Sequence, residues 1–431
     1  MTPGARLSAA IDILVDIFRS ETPADRIFEN WARSSRYAGS KDRAAVSAIV
    51  YGVLRHKAEL AHALGSDAPR LMAAGWLKLR AGEGADAVLA LMNGEKHNPE
   101  PATAEETAAL KAAQLPGPEA PPHIRLNYPE WLHPEIEDAF GERLEAEMAA
   151  LMDRAPTDLR ANALKASREE AMAALLEAGV ELEEGNLSPW SIRLLKKANL
   201  PALKPFKDGL VEIQDEGSQL ACLLAGAKPG EQVVDLCAGG GGKSLALAAM
   251  MENHGQIFAC DLDHRRLGAL MPRAQRAGCR NIQTRPLHPW MPGETDPDLA
   301  DLTRRADLVF VDAPCSGTGA WRRSPDARWR LTTEKLSDYR AAQGEVLERA
   351  APLVKPGGRL VYVTCSLLAS ENEDRIAAFL SAHEDFAEEP WTRHWPEGAP
   401  RPASLSGIAL RLSPATSGTD GFFVSILRRR T

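Results

Sequence analysis

Two short runs place a thiol where chemistry could use it. DAPCSGTG, residues 312 to 319, sets Asp312 and Cys315 in a proline- and glycine-rich turn. VTCS, residues 363 to 366, puts Cys365 just after an apolar run. A lone cysteine is usually a small buried hydrophobe, and that reading suits Cys222, Cys260 and Cys279. Cys315 and Cys365 differ. Each follows a β-rich run, 50 residues apart, so adjacent strands would bring both thiols to one sheet edge beside Asp312. That constellation suggests nucleophilic catalysis.

The run VVDLCAGGGGKS, residues 233 to 244, offers the second half of a site. A phosphate-binding P-loop needs a glycine five residues before Gly242-Lys243-Ser244, and Cys237 stands there. The dinucleotide fingerprint fails as well, since Ser244 occupies its last glycine position. A strand, a glycine turn and a helix remain, with Asp261 ending the next strand 22 residues after Gly239. An acid so placed can accept hydrogen bonds from ribose hydroxyls, and glycines let the backbone approach a ligand closely. A nucleoside ligand without a long phosphate chain fits, S-adenosylmethionine foremost; the plain alternative is a strand-to-helix turn with no ligand.

A methyl donor beside two thiols has a chemical reason. Carbon 5 of a pyrimidine is too weak a nucleophile to take a methyl group from a sulfonium. A thiolate added at carbon 6 makes carbon 5 enamine-like. A proton must then leave carbon 5 and the thiol must be eliminated, while an acid near N3 stabilises the adduct. Free cysteine has a pKa near 8.5, so the nucleophile needs help from its surroundings.

The elements that must position these residues follow from the pattern. From about residue 206, the runs EQVVDLC, GQIFACDLD, ADLVFVDAP and GRLVYVTCS alternate with helical segments. Alternating β and α elements imply a mainly parallel, Rossmann-like sheet with ligands at the strands' carboxyl ends. Residues 135 to about 205 mix helical signals with LRANAL and SIRLL, as in a small α+β module. Residues 1 to about 95 read as all-helical, with Leu7, Ile11, Leu14 and Phe18 at helical spacing. Residues 94 to 134, containing PGPEAPP, read as a partly helical linker.

The 431 residues carry a net charge of −8, which argues against indiscriminate nucleic-acid binding but allows a local basic groove. The amphipathic N-terminus, interrupted by Asp12 and Asp16, is no signal peptide, and no apolar run could span a bilayer. A cytoplasmic protein without membrane contact is expected. Six cysteines without C-x-x-C spacing point to reduced thiols, neither a disulfide framework nor a metal site. Nothing demands a dimer, so a monomer is expected.

The runs VVDLCAGGGGKS, CDLD, DAPCSGTGAWRRSPDARW, GGRLVYVTCSLLASEN and DGFFVSILRR together resemble the Nop/Sun family of RNA cytosine-5 methyltransferases. The resemblance covers residues from about 206 to the end. It implies that Cys365 is the nucleophile, that Cys315 assists elimination, and that Asp312 contacts the target base or the methyl donor. It further implies that Cys237, Ala238, Gly239, Gly240, Gly241, Gly242 and Lys243, with Asp261 and Asp312, hold S-adenosyl-L-methionine. The helical region ending in YGVLR is similar to the NusB-like RNA-binding domain of this family's bacterial 16S rRNA enzymes. LRANALKAS and IQDEGSQLA resemble the segment preceding their catalytic domain. The implied organisation is a helical NusB-like domain with linker (1–125), a small α+β connector (126–205) and a Rossmann-like catalytic domain (206–431). The implied partner is RNA, 16S rRNA or a small-subunit precursor, with tRNA as the alternative substrate. A non-catalytic ribosome-assembly factor is the competing reading from another class, and a DNA cytosine methyltransferase is disfavoured by the Thr-Cys motif.

Two departures stand out. The family motif C-A-A-P-G-G-K-T has Ala and Pro where this chain has Gly239 and Gly240, so a more flexible loop is expected. An Asp expected after the third strand falls at Leu287. Residues 321 to 340 carry six basic and three acidic side chains interleaved with Trp321, Trp329 and Tyr339, a pattern suited to an RNA strand with a base drawn out of the stack. Arg265, Arg266, Arg273 and Arg276 are expected to face solvent, and Arg428, Arg429 and Arg430 to touch phosphates or fray.

Overall fold

The computed structural model describes every residue except Gly398. It divides into two compact units, Met1–Asp153 with Trp321–Thr333, and Arg154–Ala320 with Glu334–Thr431.

The first unit is helical. Its opening helix, Pro3–Arg19, begins where the Thr2 hydroxyl accepts from the Ala5 N–H at 3.2 Å and Pro3 presets the first helical φ. Leu7, Ile13, Leu14 and Ile17 turn inward to pack on the helices Ser40–Arg55 and Pro69–Leu79. The stretch read as a linker is better integrated than its composition implies. Thr103 and Glu106 form a reciprocal cap for the helix Ala104–Ala112. Leu110 joins the core, and Leu126 and Tyr128 are buried.

Within the strip 321–340, Trp321, Arg322 and Arg328 correct the expectation of an RNA-facing surface. Trp321 and Arg328 are both fully buried within the helical unit. Arg328 donates to the carbonyls of Asn127 at 2.8 Å and Leu151 at 3.3 Å, and its guanidinium lies 4.9 Å from the Trp321 ring centre. Burial pushes the Arg328 pKa down to about 9. The Trp329 N–H donates to Leu54 O at 2.6 Å, and Asp326 accepts from the Ala24 N–H. At Trp321 and Arg328 the alternation of aromatic and charged residues encodes anchoring.

The second unit holds two sheets. Strands β1 (Thr157–Ala161), β2 (Leu182–Glu184), β3 (Ser191–Leu194) and β4 (Val211–Ile213) form an antiparallel sheet in the order β2-β3-β1-β4, covered by the helix Arg168–Glu177. The larger sheet contains β5 (Gln232–Asp235), β6 (Gln256–Asp261), β7 (Ile282–Pro286), β8 (Ala306–Asp312), β9 (Val354–Thr364), β10 (Phe386–Glu389), β11 (Leu410–Leu412) and β12 (Phe422–Arg429). Its order is β10-β12-β9-β8-β5-β6-β7, with β11 paired to β12. Strands β5 to β9 are parallel, whereas β12 runs antiparallel to β9 and β10. The parallel strands are covered on both faces, so Val309, Phe310 and Val311 of β8 and Leu360 to Val363 of β9 are all buried regardless of alternation. The terminal arginines are ordered by this edge: Arg428 pairs with Glu389 and Arg429 with Asp385. Among the described residues, no helix is long and apolar enough to cross a membrane and no group of His, Cys, Asp or Glu is arranged to hold a metal.

Candidate active site

Chain order reverses at β5, which has β6 on one side and β8 on the other. Open α/β sheets bind ligands at the carboxyl ends of strands flanking such a reversal. Asp235 and Cys237, Asp261, Asp312 and Cys365 all lie at those ends, on or just past β5, β6, β8 and β9. Asp312 of β8 sits opposite Val363 of β9, two residues before Cys365.

The two thiols meet. Cys315 Sγ and Cys365 Sγ are 3.5 Å apart, both half-buried and unbridged. Their shared S–H···S contact, together with burial, raises the Cys315 pKa well above the ordinary thiol value. Cys315 therefore retains its proton. Gly317 shapes the Cys315 turn: its φ of +68° is one that a side chain resists.

Lys243 reaches the same place from the first turn of the helix Gly242–Met250, its ammonium 2.6 Å from Asp312 Oδ2. Burial works against the Lys243 charge, but Asp312 outweighs it and the lysine pKa is raised. Asp235, wholly buried, accepts from the Ser244 hydroxyl at 2.6 Å, and burial lifts its carboxyl to about 7. Cys237 is likewise kept protonated by burial.

The glycine loop is braced from outside. Gly239, at φ +53°, donates its N–H to Asp261 Oδ2 at 2.7 Å, while Asp261 Oδ1 accepts from the Asp263 N–H. Gly241 donates to Ala238 O at 2.8 Å, closing the turn before Gly242 begins the helix. Arginines fill the space that side chains on Gly239 and Gly240 would take. A Cβ on Gly239 would lie 2.7 Å from Arg266 and one on Gly240 3.2 Å from Arg273. Arg273 donates to Gly240 O at 2.6 Å and to Glu212 at 3.0 Å, and Arg276 also pairs with Glu212. Arg273 and Arg276 are thus half-buried ion-pair partners, contrary to the solvent-facing expectation, whereas Arg265 and Arg266 are exposed. Helical spacing carries no information about Glu212, some sixty residues earlier in the chain. Leu287 is buried, with its N–H on Asp261 O, so no acid reaches the site from that position.

Sequence reasoning also missed Glu371. Glu371 is fully buried between the two cysteine turns, inside the quoted run GGRLVYVTCSLLASEN; Ser366 is five residues before it, but Ser316 and Gln343 are far away in the chain.

The reversed parallel sheet with its antiparallel edge defines the Rossmann-like methyltransferase class. Residues 221–428 match the family model described as 16S rRNA methyltransferase RsmB/F, and residues 128–200 match the RsmF/B-like ferredoxin-like domain. A curated relative, "Probable ribosomal RNA small subunit methyltransferase B" of Bacillus subtilis, is 34% identical over 306 residues, 70% of this chain and 67% of that protein. The chain belongs to the RsmB/F family. Among solved structures, PH0851 is 26% identical with a TM-score of 0.77 and covers 100% of this chain and 99% of that one. A methyltransferase homologue from Pyrococcus horikoshii is 28% identical at a TM-score of 0.59, over 72% of this chain and 97% of its own.

Proposed function

We propose that this chain transfers a methyl group from S-adenosyl-L-methionine to carbon 5 of a cytosine in 16S rRNA, through a covalent Cys365 adduct at carbon 6. The observation that carries the reading is the thiol pair, 3.5 Å apart at the ends of β8 and β9, beside the glycine loop.

The residues at the loop fit the donor. Asp261 keeps lone pairs free for ribose hydroxyls while holding the loop through Gly239, and exposed Leu262 beside it offers an apolar face to a base. Gly239 to Gly242 let the backbone come close. When bound, S-adenosylmethionine supplies an electrophilic methyl. The remaining steps belong to the chain. The Cys365 thiolate attacks carbon 6, and Asp312, with Oδ2 held by Lys243, leaves Oδ1 to accept from the cytosine N4 amino group and from N3–H once the adduct takes up a proton from water. Cys315, which keeps its proton, stands beside the carbon–sulfur bond that must break and can protonate the departing Cys365 sulfur, while the carbon-5 proton passes to solvent water. The helical unit supplies further RNA binding, in the manner of a NusB-like domain.

The test is transfer of radiolabelled methyl to a 16S rRNA transcript or to small subunits, followed by digestion. Label recovered as 5-methylcytidine with wild type and absent with Cys365→Ala is expected. If neither substrate takes label from wild type, a non-catalytic RNA-binding factor becomes the better account.

A further inference from the structure

Cys315 and Cys365 sit on separate turns, and something must hold those turns in register. The residue following each thiol is a serine, Ser316 and Ser366, and both hydroxyls donate to one carboxylate oxygen, Glu371 Oε2. The other oxygen, Oε1, accepts from the Ser316 N–H at 2.8 Å and from the Gln343 amide at 3.0 Å. Gln343 donates in addition to Pro314 O, the residue before Cys315, at 2.9 Å. A second layer closes the arrangement. Thr318 Oγ1 contacts the Ser366 hydroxyl and accepts from the Leu367 N–H, and Asn372 bonds Thr364 and Ser366 on the other side of Cys365. Glu371, Ser366, Gln343, Thr364 and Asn372 have no exposed surface. A buried carboxylate with four donors has its lone pairs saturated, so it is not a general base.

We propose that Glu371 is a positioning residue for the thiol pair, a single buried carboxylate that ties the residues following both cysteines and so sets the distance between their sulfurs. The proposal rests on the reading that both thiols act in catalysis. It also bears on Cys315 directly. Cys315 faces Cys365, Glu371 and Tyr362, with the Gly317 N–H offsetting them, and the charges of Cys365 and Glu371 both oppose its ionisation. Glu371 thus favours a protonated Cys315 standing ready beside Cys365.

The test substitutes Glu371→Gln, whose amide nitrogen cannot accept from a serine hydroxyl, with Ser316→Ala and Ser366→Ala each removing one arm. The first readout needs no RNA: alkylation of each thiol against pH, resolved by peptide mass spectrometry. In Glu371→Gln the Cys315 alkylation midpoint should move to lower pH, because a neighbouring negative charge is gone. The second readout is turnover, where kcat should fall roughly ten- to a hundredfold, the effect of losing a charge-assisted hydrogen bond, with KM for both substrates within about twofold. Glu371→Asp should recover part of both effects. If Glu371→Gln does not fold, the two serine variants carry the test, and their effects should be strongly non-additive in the double variant. Unchanged Cys315 alkylation and unchanged kcat in the folded variants would overturn the proposal. A shifted midpoint in a protein whose wild type methylates no RNA would uphold the positioning role and reject the functional reading instead.

Discussion

The bracing of the glycine loop can be tested by Arg273→Ala. Arg273 holds Gly240 O at 2.6 Å and is itself held by Glu212, which is almost fully buried. A hydrogen bond from a charged donor contributes about 1.5 to 3 kcal/mol. Arg273 keeps 30% of its side chain exposed, which places this bond near the lower end, about 1.5 kcal/mol. Glu212 retains Arg276, so the substitution leaves no unpaired buried charge and the fold should survive. What is lost is the ordering of a loop built from four consecutive glycines, Gly239 to Gly242. That ordering must then be supplied on ligand binding, so the dissociation constant for S-adenosylmethionine should rise about tenfold. Isothermal titration calorimetry measures it directly, and a melting curve checks the fold. Glu212→Gln is the contrast: it strips the partner from two half-buried arginines and should lower stability by about 3 kcal/mol or more. Affinity unchanged within twofold in Arg273→Ala would refute the bracing argument.

Asp235 should make stability depend on pH. Its folded pKa of about 7 lies above the ordinary 3.8, so between those values the native state holds a proton that the unfolded chain has lost. The stabilisation is therefore complete below about 4 and fades as pH rises to 7. Asp235→Asn should flatten the melting temperature across that window, and an unchanged slope would count against the assignment. Arg328→Ala should destabilise the helical unit by about 2 to 4 kcal/mol, because it leaves a large cavity and strands the Asn127 and Leu151 carbonyls. Denaturant unfolding reads this, and a loss under about 1 kcal/mol would mean that the buried charge had been opposing the fold. Cys365→Ala should bind S-adenosylmethionine within about twofold of wild type, since the thiol lies outside the glycine loop; calorimetry decides it.

Local pattern made much of the site readable. The four strands that carry Cys237, Asp261, Asp312 and Cys365 are short apolar runs ending in polar residues, and parallel topology brings such ends together without any further information. The antiparallel edge was harder. β12 follows a long irregular stretch, and its pairing to β9 is set by burial of Phe423, Val424 and Ile426, which the sequence alone cannot assign to a partner strand. The strip from Trp321 to Trp329 misled for a physical reason. Arginine and tryptophan are equally the residues of an RNA surface and of a buried cation–π anchor, and only Arg328's carbonyl partners distinguish the two. Glu371 and Glu212 stayed hidden because the donors that complete their burial, Ser316 and Gln343 for one and Arg273 and Arg276 for the other, are distant in sequence.

The most direct test of the account is the covalent adduct itself. Cys315→Ala, incubated with 16S rRNA and S-adenosylmethionine, should accumulate a denaturant-resistant protein–RNA species because elimination stalls. After nuclease and protease digestion, mass spectrometry should find a methylated cytidine on the peptide containing Cys365, and Cys315→Ala combined with Cys365→Ala should yield none. An adduct on any other residue, or its persistence in the double variant, would contradict Cys365 as the nucleophile.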